Sequence, residues 1–281
     1  IVSEKVLVLV ENDEILPTLQ KFDSLPPDAI SVHPWFGIAR AWFLGGRHIE
    51  QIHHMLDEAE KNAENFPDTI ERQRLHGHIA AARAGAYNTQ ADIPNLIRCA
   101  QLANELLPSD EVAVRAMNLS LLGKTLSVYK HDPGAIPILE EALRLALKAK
   151  KPHVAMIAAS QLATAHLFAG RIGALQQICL RALDIAEEYQ SHTQQPFPAT
   201  ARIYPLLSRA YAEWGEHEQA IQLARKGLSL NERWGSAGAE ALCLLYLGRA
   251  LAFANDREQA KQVLQRHEIA AQKISLQSWE E

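Results

Sequence analysis

The stretch NLSLLGKTLSVYKHDPGAIPILEEALRLA, residues 118–146, decides the fold. Within it Leu119, Leu122, Gly123 and Leu126 recur at spacings of three and four, as do Ala135, Leu139 and Ala142 beyond a polar interruption around Lys130. Such spacing puts each set on one face of an α-helix, so the stretch reads as two amphipathic helices joined by a turn. The same template returns in CLLYLGRALAFANDREQAKQVL, residues 243–264, as Leu244, Leu247, Gly248, Leu251, Asn255, Ala260 and Leu264. It returns again as Tyr204, Leu207, Ser208, Tyr211, Gly215, Ala220, Ala224 and Gly227. Small residues at fixed points let the two helices of a pair approach to roughly 8–10 Å, while the large ones fill the groove between them. This is the large-small periodicity of a tetratricopeptide unit.

Working outward, the chain folds onto itself at a period of about 40 residues. The expected hinges are Leu44-Gly45-Gly46-Arg47, Ala86-Tyr87-Asn88-Thr89, Tyr129-Lys130-His131-Asp132, Ala169-Gly170-Arg171, Trp214-Gly215-Glu216 and Ala254-Asn255-Asp256. Gly, Asn and Asp at these points stop one helix and cap the next. A second echo places proline in the first turns of three second helices, at Leu16-Pro17-Thr18-Leu19, Ile93-Pro94-Asn95-Leu96 and Ile136-Pro137-Ile138-Leu139. Proline is tolerated there because the early N–H groups of a helix have no intrahelical partner. The expected fold is all-α: a right-handed superhelical solenoid of antiparallel helix pairs, one unit over 1–281. It comprises a partial pair at 1–26 and pairs near 33–66, 69–107, 110–150, 153–191, 198–234 and 236–274. Gln194-Gln195-Pro196-Phe197-Pro198 reads as a longer loop between units, and Asp68 with Glu71 as a capping box. Pro205, inside its first helix, predicts a kink or a late helix start.

The 281 residues are 48% hydrophobic with a net charge of −5. No cationic field is present to hold nucleic acid or anionic lipid, so direct nucleic-acid contact is not expected. Cys99, Cys179 and Cys243 lie far apart among Leu, Ile and Ala, the pattern of buried free thiols in a reducing compartment. No apolar run reaches the roughly 18 residues that span a bilayer, and the start lacks a cationic n-region. The expectation is a cytoplasmic chain without membrane contact. Its opening, IVSEKVLVLVENDE, looks like mid-helix sequence and suggests a piece of something longer.

Motifs that could carry catalysis dissolve on inspection. Gly123-Lys124-Thr125 has the ending of a phosphate-binding loop, but Asn118 stands where the leading glycine belongs, and the tripeptide is mid-helix, where backbone N–H groups are already used. The 12 histidines include His53-His54 and the pair His76 and His78, whose spacing of two faces them apart on a helix. No His-Glu-x2-His, paired cysteines or acidic loop accompanies them, so no metal and no cofactor are expected. Gly235-Ser236-Ala237-Gly238 has its serine one place too early for a nucleophile elbow. With no nucleophile–base or acid–base set, the expectation is a binding protein and not an enzyme.

One constellation remains. In a helix-pair solenoid the first helices line the concave face, and equivalent positions in successive pairs form rows across it. One row reads Lys124, Thr164, Arg209, Arg249, and its neighbour reads Met117, Ile157, Arg202, Leu242, with Phe168 and Phe253 close in register. Cations, a hydroxyl and aromatic faces suit a ligand carrying carboxylate or phosphate beside an apolar or sugar-like body. The candidate groove residues are therefore Lys124, Thr164, Phe168, Arg202, Arg209, Arg249 and Phe253. Arg209 and Arg249 are expected on adjacent first helices, repelling each other mildly.

The runs His33-Pro34-Trp35, Ala39-Arg40-Ala41-Trp42, Leu44-Gly45-Gly46-Arg47 and Gly227-Leu228-Ser229-Leu230-Asn231-Glu232-Arg233-Trp234-Gly235 resemble the helical-repeat region of MalT-like, LuxR-type ATP-dependent transcriptional regulators. The resemblance implies an inducer sensor within a longer chain, with an upstream P-loop NTPase and a downstream helix-turn-helix that binds promoters. The partners it implies are a small-molecule inducer or a regulatory protein or peptide. This sequence carries neither a P-loop nor a recognition helix, so neither activity is expected of these residues. The competing reading is a general tetratricopeptide protein-interaction scaffold. The chaperone-tail clamp of some such proteins resembles this chain in Lys124 and Arg209, but the accompanying Asn residues are missing.

Overall fold

The computed structural model describes residues 34–44, 48–193 and 197–276. Twelve α-helices run through them: α1 Pro34–Leu44, α2 Ile49–Ala63, α3 Thr69–Thr89, α4 Ile93–Leu106, α5 Val112–Lys130, α6 Ala135–Lys148, α7 Pro152–Phe168, α8 Ile172–Thr193, α9 Tyr204–Glu213, α10 His217–Trp234, α11 Ala237–Phe253 and α12 Arg257–Leu276. A 3-10 turn, Pro198–Arg202, precedes α9. No strand occurs among the described residues.

Local chemistry explains where these helices begin and end. Asp68 and Asp92 accept the N–H groups of Ile70 (2.9 Å) and Asn95 (3.2 Å), and Ser236 accepts that of Ala239 (3.3 Å), each satisfying a donor the first turn leaves open. At the other end a left-handed residue reverses the chain: Ala91, Gly170, Gly215 and Asn255 all have positive φ. The next N–H then closes back onto the fifth preceding carbonyl, as Asp92 to Tyr87 (3.0 Å), Arg171 to His166 (2.8 Å), Glu216 to Tyr211 (3.0 Å) and Asp256 to Leu251 (2.9 Å). One C-terminal capping motif thus recurs at the first helices of four units.

Short connections make consecutive helices antiparallel neighbours. First helices also touch first helices, α1 with α3, α3 with α5, α5 with α7 and α9 with α11, whereas second helices share no comparable contact with one another. The side on which helices meet each other is the shorter arc, so the first helices form the inner wall and the second helices the outer one. All substantial contacts join elements close in sequence, and nothing brings α1 or α2 against α10–α12. That is the quasi-one-dimensional packing of a repeat protein. One buried cluster runs continuously from Ala113 in α5 to Ala210 in α9.

The small positions of the template do what the spacing requires. A β-carbon on Gly123 would stand 2.5 Å from Leu139 Cγ, and one on Gly248 would stand 2.7 Å from Leu264. Gly123 of the Gly123-Lys124-Thr125 tripeptide is therefore a helix-packing position in the middle of α5. Cys99, Cys179 and Cys243 are buried and unpaired.

Two local readings need correction. The second hinge lies at Gln90-Ala91-Asp92 and not at 86–89, because α3 continues to Thr89 and the Asp92 cap begins α4. The capping box at Asp68 is half realised: Glu71 accepts the Trp35 indole N–H at 2.9 Å and faces Arg74. The late helix start that Pro205 predicts is found: the first helix of the fifth full pair begins at Tyr204, with Pro205 in its first turn, after the 3-10 turn. The partial pair at 1–26 with its Pro17 echo, the hinge glycines Gly45 and Gly46, and 194–196 of the proposed inter-unit loop lie outside the described residues.

Candidate ligand-binding groove

A pocket of about 240 Å³ opens on the inner wall, lined by residues of α5, α7, the 3-10 turn, α9 and α11. It thus spans four successive helix pairs. Lys124 comes from α5, Thr164 and Gln161 from α7, Arg202 from the 3-10 turn and Leu242 from α11. Lys124 Nζ donates to Asn88 Oδ1 at 2.6 Å, reaching back to the preceding first helix. Burial holds the Lys124 ammonium below its usual range, and the neighbouring Arg202 lowers it further. Burial also depresses Arg202. His153 is depressed by burial first and by Arg202 second, so this imidazole favours its neutral form. Ser160 and Thr164 donate their hydroxyl protons to Ile157 O (2.9 Å) and Ser160 O (2.8 Å), which leaves their oxygens as acceptors. The arrangement is a partly dry cleft with two cations, hydroxyl and amide groups, and an apolar side made by Val128, Leu206 and Leu242.

The seven candidate residues divide. Lys124, Thr164 and Arg202 come together in the pocket, combining members of the two rows. Arg209 and Arg249 do not line it; both engage Glu213, Arg209 from one turn earlier on the same helix and Arg249 at 3.4 Å from the next unit. The expected bare repulsion between these guanidinium groups is corrected by this carboxylate, which the row comparison overlooked because it lies one turn along. Arg249 also lies over the Phe253 ring, 5.3 Å from its centroid. Phe168 stands at the end of α7, half exposed and edge-on to His131 at 6.4 Å. The pocket residues that the rows omitted lie three or four positions from ones that they included, as Ser127 and Val128 do from Lys124, Gln161 from Thr164, Leu206 from Arg202, and Gly238 and Ala239 from Leu242. The i,i+3 neighbourhood of a helix face carries that signal.

A family described as the MalT-like TPR region matches residues 77–279. The HTH-type transcriptional regulator MalT of Vibrio cholerae serotype O1 is 24% identical over 215 residues, 75% of this chain and 23% of that protein. The chain therefore spans about a quarter of the length of the curated relative it matches. Among solved structures, the apo form of RapI aligns with a TM-score of 0.63 at 12% identity, over 97% of this chain and 77% of that one. A Rap protein complexed with Competence and Sporulation Factor gives 0.59 at 16% identity, over 95% and 81%. A signal-transduction ATPase from Pyrococcus horikoshii, described as having a tetratricopeptide repeat sensor, gives 0.57 at 16% identity, over 88% and 42%. These likenesses show the fold, the right-handed superhelical solenoid of helix pairs that the periodicity predicts. The family match begins inside α3, runs past α12 and takes in every residue of the pocket, so the chain belongs to the MalT-like TPR region family.

Proposed function

We propose that this chain is the sensing part of a MalT-like transcriptional regulator, taking up an inducer or a regulatory protein on its inner wall and catalysing nothing itself. The observation that carries the reading is the pocket shared by four successive helix pairs. A ligand there touches several units at once, and a solenoid whose units contact only their neighbours answers by changing its curvature. The full-length relative is named for a helix-turn-helix, and the comparable Pyrococcus protein couples a tetratricopeptide sensor to an ATPase. NTPase and DNA-binding modules on a longer chain, in the cytoplasm, are the partners this reading supplies. The test is a thermal-shift screen of metabolites, in which a ligand at 100 times its dissociation constant adds about 2.7 kcal/mol. For a domain of this size that is a rise of roughly 5–10 °C. Gly238→Trp should abolish it, because the Gly238 Cβ direction is open space at the pocket mouth. A shift unaffected by that substitution sinks the pocket as the sensing site.

A second reading, a protein-interaction scaffold, is favoured by the rim. Tyr129, Phe168, Trp214 and Phe253 are exposed, one at the first hinge of each of four successive pairs. The Rap protein in complex with Competence and Sporulation Factor has this fold. Replacing Phe168 and Trp214 by Ser distinguishes the readings: loss of partner capture with unchanged metabolite shifts selects the scaffold.

A further inference from the structure

We infer that the inner-wall pocket takes a small organic anion, a carboxylate or phosphate ester bearing a hydroxyl and a short apolar portion. The inference rests on the reading of the pocket as the sensing site and adds the chemistry of what enters it.

Charge is the first ground. Lys124 and Arg202 both line the pocket, and no Asp, Glu or His is among its described lining residues. The hydrogen-bond acceptor that holds Lys124 is the neutral amide of Asn88. By contrast with Lys124, four other cations of the inner wall and its flanks meet acids: Arg209 and Arg249 meet Glu213, Arg83 meets Asp57 and Glu60, and Arg74 meets Glu71 and Glu111. Lys124 and Arg202 oppose each other's charge across the cleft. An entering anion relieves that opposition and gains charge-assisted hydrogen bonds in a place where water is scarce.

The end of a helix is the second ground. Gly238 and Ala239, in the first turn of the 17-residue α11, form one side of the pocket. The positive end of the helix dipole thus lies beside the same space as the two cations. Three sources of positive potential from three different elements thus converge.

Size and the remaining walls narrow the class. At roughly 30 Å³ per water, 240 Å³ holds about eight waters, below the usual range of sites for drug-sized ligands. A small metabolite fits such a volume. The Thr164 and Ser160 oxygens accept hydrogen bonds, their protons being spent on the backbone. The Gln161 carbonyl oxygen is buried with no hydrogen-bond partner among the described residues. Acceptors of this kind call for a hydroxyl donor on the ligand, and Val128, Leu206 and Leu242 for a few carbons.

The experiment is isothermal titration of the chain with inorganic phosphate, glycerol 3-phosphate, 3-hydroxybutyrate and the neutral probes glycerol and glucose. Phosphate against 3-hydroxybutyrate separates the two anion sources. At least one anion should bind, more weakly as salt is raised, and lose roughly ten- to a hundred-fold in affinity with Lys124→Met and with Arg202→Met. Gly238→Trp should remove binding, with unfolding midpoints showing that each variant is folded. Anion binding that Lys124→Met and Gly238→Trp leave intact overturns the assignment, as does absence of binding by every anion at 10 mM, on the order of a very weak site. Neutral probes that bind and are lost only with Gly238→Trp overturn the anionic class while leaving the pocket as the sensing site.

Discussion

Gly123 of α5 and Leu139 of α6 are packed so closely that a β-carbon on the glycine would stand 2.5 Å from Leu139 Cγ. Gly248 and Leu264 repeat the relationship three units later, at 2.7 Å. Leu139 is fully buried within the main core cluster, so its branched side chain has no room to yield. Gly123→Ala should therefore destabilise the chain by about 1–3 kcal/mol through overpacking. Gly85→Ala, in α3 with nothing within 4 Å of its added carbon, should instead stabilise by about 0.5–1 kcal/mol. Denaturant unfolding of both variants checks the contrast; equal effects of the same sign would show that helix propensity, and not packing, governs these glycines.

Ala91 and Lys150 hold positive φ, 54° in each case, without being glycine. A left-handed residue with a β-carbon costs roughly 1–2 kcal/mol, part of which glycine returns through its greater freedom in the unfolded chain. Ala91→Gly should raise stability by about 0.5–1 kcal/mol, measured as a higher unfolding midpoint. A lower midpoint would mean that the Ala91 methyl makes a packing contribution larger than its backbone strain.

Much of this architecture is legible in the sequence because the repeat constrains it twice, by periodicity within each helix and by recurrence between units. Gly123, Ser208 and Gly248 fall at one template position, and their surroundings follow from that. The hinge near Ala91 is less legible: Asn88-Thr89 looks like a stop, yet the Schellman closure onto Tyr87 and the Asp92 cap place the turn two residues later. The pocket is partly legible. Register finds Lys124, Thr164 and Arg202, because rows survive in any regular solenoid. It cannot find Asn88 reaching forward to Lys124 across units, nor the neutralisation of Arg209 and Arg249, because side-chain reach is set by local packing and not by period.

Burial pushes the thiols of Cys179 and Cys243 up to about 12 from an ordinary value near 9.0. Both should resist a thiol-directed reagent at pH 8 in the native chain and react when guanidinium unfolds it. The pH dependence has a definite sign. Because folding raises these values, the unfolded chain releases protons first, so stability is intact below pH 9.0 and falls as pH rises from there toward 12. Cys179→Ala should flatten that alkaline fall relative to the parent when thermal midpoints are compared from pH 8 to 11. Rapid native labelling of Cys179 would show that the α7–α8 pair opens far more readily than its packing implies.

The last prediction concerns Glu213, which receives Arg209 from its own helix and Arg249 from the next unit. Of the three side chains Arg209 is the most covered and Arg249 the most open, at 13% and 45% exposure, so water screens the network substantially. Glu213→Gln leaves two guanidinium groups facing each other without a carboxylate. Burial and Arg249 already hold Arg209 below its ordinary range, so the added repulsion falls on a group that is partly desolvated. The expected cost is about 0.5–1 kcal/mol at low ionic strength, shrinking toward zero at 1 M salt, where charges are screened within about 3 Å. A double-mutant cycle with Arg249→Ala should recover most of that loss, since removing one cation removes the repulsion. The substitution should also create a second, weaker phosphate site beside Phe253, raising titration stoichiometry toward two while leaving the Lys124 pocket unchanged. An unaltered stability at low salt together with unaltered stoichiometry would mean that the two arginines already turn to solvent, and that Glu213 does not keep this part of the groove closed to anions.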